Sequence, residues 1–455
     1  MRTYIKLVIA GAGPAGLAAA ISAKKNGIDD VVIFEREKKP GGILNQCIHD
    51  GFGLIRYGEA LTGPEYAYRL IKEAQALGIE IITNCMILHM DGDRRITVCS
   101  PEGLAVIQTE AVVFATGCRE RTRGSIMIPG TRPAGVYTAG VAQNLINMRN
   151  IMPGKKVAIL GSGDIGLIMA RRFMLEGAQV IGVFEMRPNA GGLERNVRQC
   201  LLDYHIPLYL KHTITKINGK RRVESVTVSE VDDTGRVIGN TEKMFPCDTL
   251  VLSVGLIPEN EVVKGAGIET DKGTGGARVD KCLQTEIKGV FVCGNARKVS
   301  DLADIVSEEG EAAGRNAALS VRGDALIVYR DSCHNTLPKG VPQDGVITCI
   351  VCPKGCHMTA DKDDGGQLTI TGNQCPRGLA YAREELVCPK RTLTTTIRLD
   401  NGGLLSVKTK NGLDSESLSV WVERLQNMTL PANCYKCGDM IMIDGCEFVA
   451  GMSTL

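Results

Sequence analysis

Two stretches decide the architecture: Lys6–Gly16, KLVIAGAGPAG, and Lys156–Gly166, KVAILGSGDIG. Each is a short apolar run that breaks into glycines at the same spacing, Gly11, Gly13 and Gly16 in the first and Gly161, Gly163 and Gly166 in the second. Each continues through an Ala/Leu-rich helical pattern to a second apolar strand that closes on an acid, VVIFE at Glu35 and VIGVFE at Glu185. In both, the acid lies 24 positions after the first glycine (11 to 35, 161 to 185). Each later carries a strand running into glycine, Ala111–Gly117 (AVVFATG) and Thr249–Gly255 (TLVLSVG). The first 325 residues are thus organised by an internal repeat.

Glycines at this spacing have a physical task. The first permits a tight strand-to-helix turn, the second lets backbone approach a pyrophosphate, and the third lets helix and strand pack closely. The helix N-terminus offers unpaired N–H groups and the positive end of its dipole to the phosphates, and the acid accepts from ribose hydroxyls. With 53 glycines in 455 residues the pattern arises by chance about 0.7 times, so one copy would mean little. Two copies, each between a strand and a helix with an acid at equal spacing, outweigh the alternative of two structural turns.

The candidate binding residues follow. For the first copy they are Gly11, Gly13, Pro14, Ala15, Gly16, Glu35, Arg36, Gly42, Ala115, Thr116 and Gly117. For the second they are Gly161, Gly163, Asp164, Ile165, Gly166, Glu185, Arg187 and Gly255. A third landmark, Thr285–Ala296 (TEIKGVFVCGNA), adds Gly294 and Asn295 and precedes a helix expected from about Asp304 to Ser320.

With these motifs residues 4–325 resemble the flavoproteins with two dinucleotide-binding domains, the group that includes thioredoxin reductase. The resemblance implies that the first motif binds FAD, the inserted second one binds NAD(P)H, and the segment at Gly294 returns to the FAD domain. Asn295 stands where that group usually has Asp, which alters the charge beside the cofactor while keeping hydrogen-bonding capacity. The segments GGILNQCIHDGFG (41–53), LTGPEYA (61–67), ATGCRERTR (115–123) and IPGTRPAGVYTAG (128–140) narrow the resemblance further. They are similar to the FAD/NAD-binding partner chain of anaerobic glycerol-3-phosphate dehydrogenases, related to the alpha subunits of opine oxidase and hydrogen cyanide synthase. That implies a relay of electrons to or from a partner flavoprotein dehydrogenase or other redox protein.

Glu185 would stand beside the 2′-phosphate that distinguishes NADP from NAD. Like charges at about 4 Å cost roughly 1 kcal/mol in water and ~4 at an intermediate dielectric, which favours NAD, with Arg187 partly offsetting the repulsion. Transfer between nicotinamide and flavin needs stacked rings rather than an acid–base side chain, so no catalytic residue is nominated. The thioredoxin reductase dithiol has no counterpart at Gly135–Gln143, and the glutathione reductase pair is reduced to a single Cys47. Cys47 with His49 is the remaining candidate for a thiolate–base pair, against a packing role. The single cysteines 85, 99, 118, 200, 247, 282 and 293 read as small apolar residues.

A formal charge of +2 with 23% charged residues gives no electrostatic case for nucleic acid or anionic membrane. No apolar run approaches the roughly 20 residues of a membrane span. The N-terminal run is broken by motif glycines, unlike a signal peptide, so a cytoplasmic location is expected. Oligomeric state leaves no mark in the sequence, although the resemblance admits a homo-oligomer.

Seventeen cysteines are many for such a compartment and point to metal ligation or redox chemistry. Nine are scattered over residues 1–346 and eight crowd into 347–455, a shift that follows NTLPKGVPQDG at 335–345. Cys349, Cys352 and Cys356 in CIVCPKGCH, with Cys375 in NQCPRG, give the spacing C-x2-C-x3-C-x18-C. The pattern resembles the iron–sulfur segment of molybdopterin oxidoreductases, and the whole tail resembles a small uncharacterised domain fused to, or accompanying, this flavoprotein in glycerol-utilising anaerobes. A [4Fe–4S] cluster, structural zinc, and no metal all stay open, the three-thiol loop fitting the cluster better. His357 and Arg377 would tune such a centre or simply face solvent; the second C-x2-C, Cys434 and Cys437, with Cys388 and Cys446, is unassigned.

The expected fold is therefore α/β, with two nested Rossmann-like dinucleotide-binding domains and a small cysteine-rich α+β C-terminal domain. The expected boundaries are 1–118 and 283–325 for FAD, 119–282 for NAD(P), 326–346 for a linker and 347–455 for the iron–sulfur domain. Two competing functions are a stand-alone NADH oxidase, peroxidase or disulfide reductase, and a redox sensor with a zinc-bound tail.

Overall fold

The computed structural model describes residues 2–330, 337–362 and 368–452; residues 331–336 of the expected linker lie outside the described residues. The chain divides into two compact units, Met1–Cys47, Phe52–Arg119 and Leu256–Cys333 forming one, Ile48–Gly51, Glu120–Gly255 and His334–Leu455 the other. The crossings at 119/120 and 255/256 make the nucleotide fold of the second unit an insertion in the first. The return to the first unit falls at Leu256, upstream of the strand-to-glycine landmark at Val290–Gly294 and of the expected boundary at 283.

In the first unit the strands Glu80–Ile82, Val31–Phe34, Tyr4–Ala10 and Gly103–Phe114 lie side by side in that order, with Val290–Val292 also against Gly103–Phe114. All these pairings are parallel, and the strands are Val/Ile-rich because both faces are buried. The twelve-residue strand Gly103–Phe114 serves three partners. Its first half closes an antiparallel hairpin with Arg95–Ser100, and its second half runs parallel to Tyr4–Ala10. The helices Pro14–Lys25 and Ala303–Arg322 pack on this sheet in direct contact. A Cβ on Gly310 would stand 2.2 Å from the Ala15 carbonyl oxygen and one on Gly314 1.9 Å from that of Ala19, so only glycine permits this approach. The predicted helix over 304–320 is the Ala303–Arg322 element.

The second unit contains a parallel sheet ordered Val136–Thr138, Thr249–Leu252, Lys156–Leu160, Gln179–Glu185 and Leu208–Leu210. An antiparallel sheet, His212–Asn218, Ser225–Glu230 and Lys243–Pro246, accompanies it. The tail belongs to this same unit and is α+β. Its three-stranded sheet, Ile347–Thr348, His357–Lys362 and Leu368–Thr371, leads to the helix Pro376–Val387. A five-stranded sheet follows, with the helix Leu418–Gln426 against it.

The tail is docked on the nucleotide fold through buried charge. On the helix Asp164–Leu175, Arg171 Nη2 donates to Thr392 O at 2.9 Å and Arg172 Nη1 to Thr395 Oγ1 at 3.1 Å. Leu175, from the same helix, joins the apolar core of the tail. Arg391, 4% exposed, forms ion pairs at 2.6 Å with Asp203 of the nucleotide fold and with Glu385 of the tail. Glu385 also meets Arg198 at 3.3 Å. Burial pushes the Glu385 carboxyl up, but Arg391 and Arg198 outweigh it and hold the group below the usual carboxylate range.

Removing one partner of a buried pair leaves the other charge uncompensated. Arg391→Ala is expected to destabilise the second unit by about 3–5 kcal/mol in denaturant unfolding. Because Glu385 has a depressed pKa, its contribution is present above the ordinary carboxylate pKa and lost as pH falls below it. The difference between wild type and Arg391→Ala should therefore shrink in acid.

Candidate functional site

At the first cradle the strand Tyr4–Ala10 ends in Gly11 at φ +101°, where a Cβ would stand 2.6 Å from the Ala115 carbonyl oxygen. Gly16 admits no Cβ either, since one would lie 1.8 Å from Gly11 O. Gly13 caps the helix without a side-chain bond, Pro14 occupies the first turn, and a Cβ on Gly13 would meet nothing within 4 Å. Open space thus fronts the helix N-terminus beside Ala15, the arrangement that suits a pyrophosphate. Gly42 crosses close by, its Cβ position 3.0 Å from the Gly13 Cα. Glu35, 5% exposed, accepts from Ala12 N at 2.7 Å and from Glu37 N at 2.9 Å, which fixes the carboxylate under the turn. Arg36, beyond it, is exposed.

The other predicted residues of this unit lie in its neighbouring loops. Ala115 N donates to Ala10 O, Thr116 Oγ1 donates to Glu259 O at 2.7 Å, and Gly117 O accepts from Glu259 N at 2.9 Å. Gly294 N donates to Glu309, which also binds Arg297 by two hydrogen bonds of 2.5 and 2.9 Å. Asn295 Oδ1 accepts from Ser300 N, and its amide contacts Cys118 Sγ at 3.5 Å. Asp304, in the first turn of the helix Ala303–Arg322, accepts from Gly53 N and Arg56 N. Burial nevertheless pushes its carboxyl above the ordinary range. Asp304, Glu309 and Arg297 escaped the sequence reading because their partners are set by tertiary packing.

The second cradle repeats the first. Gly161 has φ +96°, with a Cβ position 2.1 Å from Ser253 O; Gly166 would clash with Gly161 O at 2.7 Å. Gly163 caps the helix that Asp164 and the half-buried Ile165 begin. Glu185 accepts from Ser162 N and Oγ at 3.1 and 2.6 Å and from Arg187 N and Nε, both at 3.0 Å. Burial raises this carboxyl and the Arg187 and Ser162 bonds more than reverse it, leaving it ionised below the usual range. Gly255, φ +102°, accepts from Arg121 N. A loop that the sequence reading missed, Gly191–Glu194, is stitched to this turn: Gly191 N reaches Ser162 Oγ and Leu193 N reaches Asp164 Oδ1, both at 2.8 Å.

In the tail, Cys349 and Cys356 are buried, Cys352 and Cys375 half-buried. Among the described residues no group of three or more His, Cys, Asp or Glu side chains stands in an arrangement that holds a metal ion. The fold nevertheless gathers these segments: Cys349 N donates to Cys356 O at 2.9 Å, Gly355 N to Cys352 O at 3.2 Å, and Cys375 caps the helix whose Gly378 has its Cβ position 3.8 Å from Cys349 Sγ. Burial pushes the Cys349 thiol up, while the backbone N–H of Gly378 and the Arg377 N–H groups and charge draw Cys375 down towards thiolate. In donor type the four suit a thiolate-bound centre. His357, although exposed, is paired with Glu194. Cys434 Sγ and Cys437 Sγ contact the carbonyls of Ala432 and Gly451.

Elsewhere the cysteines are poorly suited to thiolate chemistry: burial raises Cys85 to about 11, Cys200 and Cys247 to about 12, and Cys293 well above its ordinary value. Cys47 is buried, and burial lowers His49 to about 4, which makes it a weak base at neutral pH.

Two glycine cradles in a strand–turn–helix setting, each with a buried acid behind it, define an oxidoreductase that uses two dinucleotides. Residues 5–310 match the family model described as pyridine nucleotide-disulphide oxidoreductase, so the chain belongs to that family and is an FAD-dependent oxidoreductase working with NAD(P). Residues 376–450 match a domain described as a protein of unknown function (DUF1667). The chain is 28% identical over 346 residues to hydrogen cyanide synthase subunit HcnB of Pseudomonas aeruginosa, covering 70% of each chain. It is 24% identical over 347 residues to an opine oxidase subunit from Agrobacterium tumefaciens, covering 71% of this chain and 67% of the other. In fold it is similar to thioredoxin reductase from Lactococcus lactis, at TM-score 0.58 and 22% identity over 70% of this chain and 99% of that one. A NAD-dependent persulfide reductase from A. fulgidus aligns at TM-score 0.55 and 16% identity over 93% of this chain and 77% of that one.

Glu35→Ala removes the acceptor of one buried and one part-buried backbone N–H group, and hydrogen bonds to a charged group contribute about 1.5–3 kcal/mol each. Flavin content of the purified variant, read from its visible absorbance, should fall at least about tenfold relative to wild type.

Proposed function

We propose that this protein relays electrons between NAD(H) and a partner dehydrogenase, one acting on glycerol 3-phosphate or a similar metabolite, with FAD in the first unit and a [4Fe–4S] cluster in the tail. Gly11, Gly13, Gly16 and Glu35 would hold the FAD, Gly161, Gly163, Gly166 and Glu185 the NAD(H), and Cys349, Cys352, Cys356 and Cys375 the cluster. When bound, a flavin exchanges electron pairs with a pyridine nucleotide and single electrons with an iron–sulfur centre, which is what joining the two carriers requires. The observation that carries this reading is the setting of the four cysteines: Cys349 N donates to Cys356 O at 2.9 Å, and Cys375 caps the helix whose Gly378 stands against Cys349 Sγ. Relatives named as subunits of opine oxidase and hydrogen cyanide synthase support a working assembly of more than one chain.

The chain's own residues fix nucleotide choice. Glu185 is held ionised and engages Arg187; against a ribose its carboxylate would repel a 2′-phosphate, with Arg187 relieving part of that repulsion. The stand-alone reductase reading, which needs an activated thiol, is disfavoured at Cys47 by its burial and by the weakly basic His49, and would rest instead on Cys434 and Cys437. A cytoplasmic setting suits the relay; among the described residues no helix is long and apolar enough to cross a membrane.

Protein purified without oxygen should contain about four iron and four labile sulfide atoms per chain, with a low-temperature EPR signal on reduction, and Cys375→Ser should lose both. Zinc without iron overturns the relay. Steady-state assays should show NADH preferred to NADPH, and Glu185→Ala should narrow that preference by at least about fivefold, the equivalent of roughly 1 kcal/mol.

A further inference from the structure

The loop Gly191–Glu194 is gripped from two sides. On one side, Gly191 N and Gly192 N donate to Ser162 Oγ and O, both at 2.8 Å, and Asp164 Oδ1 accepts from Leu193 N at 2.8 Å and Asn196 Nδ2 at 2.7 Å. These are residues of the glycine turn that the dinucleotide would occupy. On the other side lies the approach to the tail. Lys339 pairs with Leu193 in an antiparallel bridge, Glu194 N donates to Pro338 O at 3.1 Å, and Gly340 N to Gly192 O at 3.3 Å. The Glu194 side chain, 12% exposed, meets the imidazole Nε2 of His357, which directly follows Cys356. One short loop therefore joins the nucleotide turn to the residue beside a candidate ligand, entirely within the second unit.

We propose that dinucleotide binding at the second cradle and metal loading of the tail thiols are linked, each raising the affinity for the other, with Glu194 as the positioning residue that carries the link. The inference rests on the reading of Cys349, Cys352, Cys356 and Cys375 as ligands. Its physical basis is shared organisation. A loaded thiol loop fixes His357, His357 fixes Glu194, and Glu194 fixes the loop whose N–H groups brace Ser162 and Asp164. A ligand entering either end finds the loop already set and has less ordering to supply. Linkage is reciprocal, so the same factor must appear whichever ligand is varied.

The test uses the full chain and ADP-ribose, which occupies a dinucleotide turn without exchanging electrons. Calorimetric titration compares anaerobically purified protein with the same protein stripped by a chelator, and iron, sulfide and zinc are assayed on each sample. The expected result is about fivefold or tighter binding to the loaded form, with ADP-ribose slowing metal loss to the chelator by a similar factor. Glu194→Ala should erase both differences at unchanged metal content and unchanged unfolding temperature of the second unit, and Glu194→Gln, which keeps an acceptor oxygen for His357, should restore part of them. Equal affinities for loaded and stripped protein overturn the linkage while leaving the relay intact. Zinc in place of iron overturns the relay, and the same titrations on the zinc form then decide the linkage. A chain that binds no metal at these thiols overturns both.

Discussion

Everything in this molecule depends on two places where backbone meets backbone with no room for a side chain. At Gly11 and Gly16, and again at Gly161 and Gly166, a Cβ would fall within 2.7 Å of a carbonyl oxygen. Only this closeness lets a strand turn at once into a helix and leaves the helix N-terminus bare towards a phosphate. The buried acids complete the turns. Glu35 and Glu185 each bind the backbone N–H between the first two glycines, Ala12 in one case and Ser162 in the other. The repeat in the sequence is thus a repeat of one steric solution, used for two cofactors.

The tail is joined to the second of these turns by chemistry of another kind. Arg171 and Arg172 leave the helix of the nucleotide fold to satisfy tail carbonyls, and Arg391 returns the contact to Asp203. Buried arginines are costly unless their donors are met, which makes such a contact demanding of geometry. Leu175 adds apolar continuity between the two cores. The cysteine-rich domain is accordingly bonded to the nucleotide fold over much of its length, a fixed attachment rather than a module hanging from a linker.

What could be read in advance was whatever short-range periodicity encodes. Both glycine turns, both acids, the helix at Ala303–Arg322 and the clustering of Cys349, Cys352 and Cys356 are local patterns. The rest is held by partners far apart in the chain: Arg391 and Asp203 are 188 positions apart, and His357 and Glu194 are 163 apart. No spacing rule reaches that far. The Gly191–Glu194 loop and the buried Asp304 were invisible for the same reason, since their importance comes from what the fold sets beside them. Asn295 is a mixed case, a legible departure whose oxygen is met five positions on by Ser300 and whose amide reaches Cys118, 177 positions away.

The close crossing of the helices Pro14–Lys25 and Ala303–Arg322 bears on how the chain is made. Ser22 Oγ donates to Glu311 O across 289 positions, and Gly310 and Gly314 seat against Ala15 and Ala19. During translation the first of these helices emerges long before the surface it needs exists, and the whole inserted nucleotide fold is synthesised in between. A helix of twelve residues has little stability alone. The strand Tyr4–Ala10 has its partners Val31–Phe34 and Gly103–Phe114 before the insertion begins, but the helix face that meets Ala303–Arg322 stays uncovered until the insertion has been made. The first unit can therefore be completed only after the insertion has been synthesised, although most of it leaves the ribosome first.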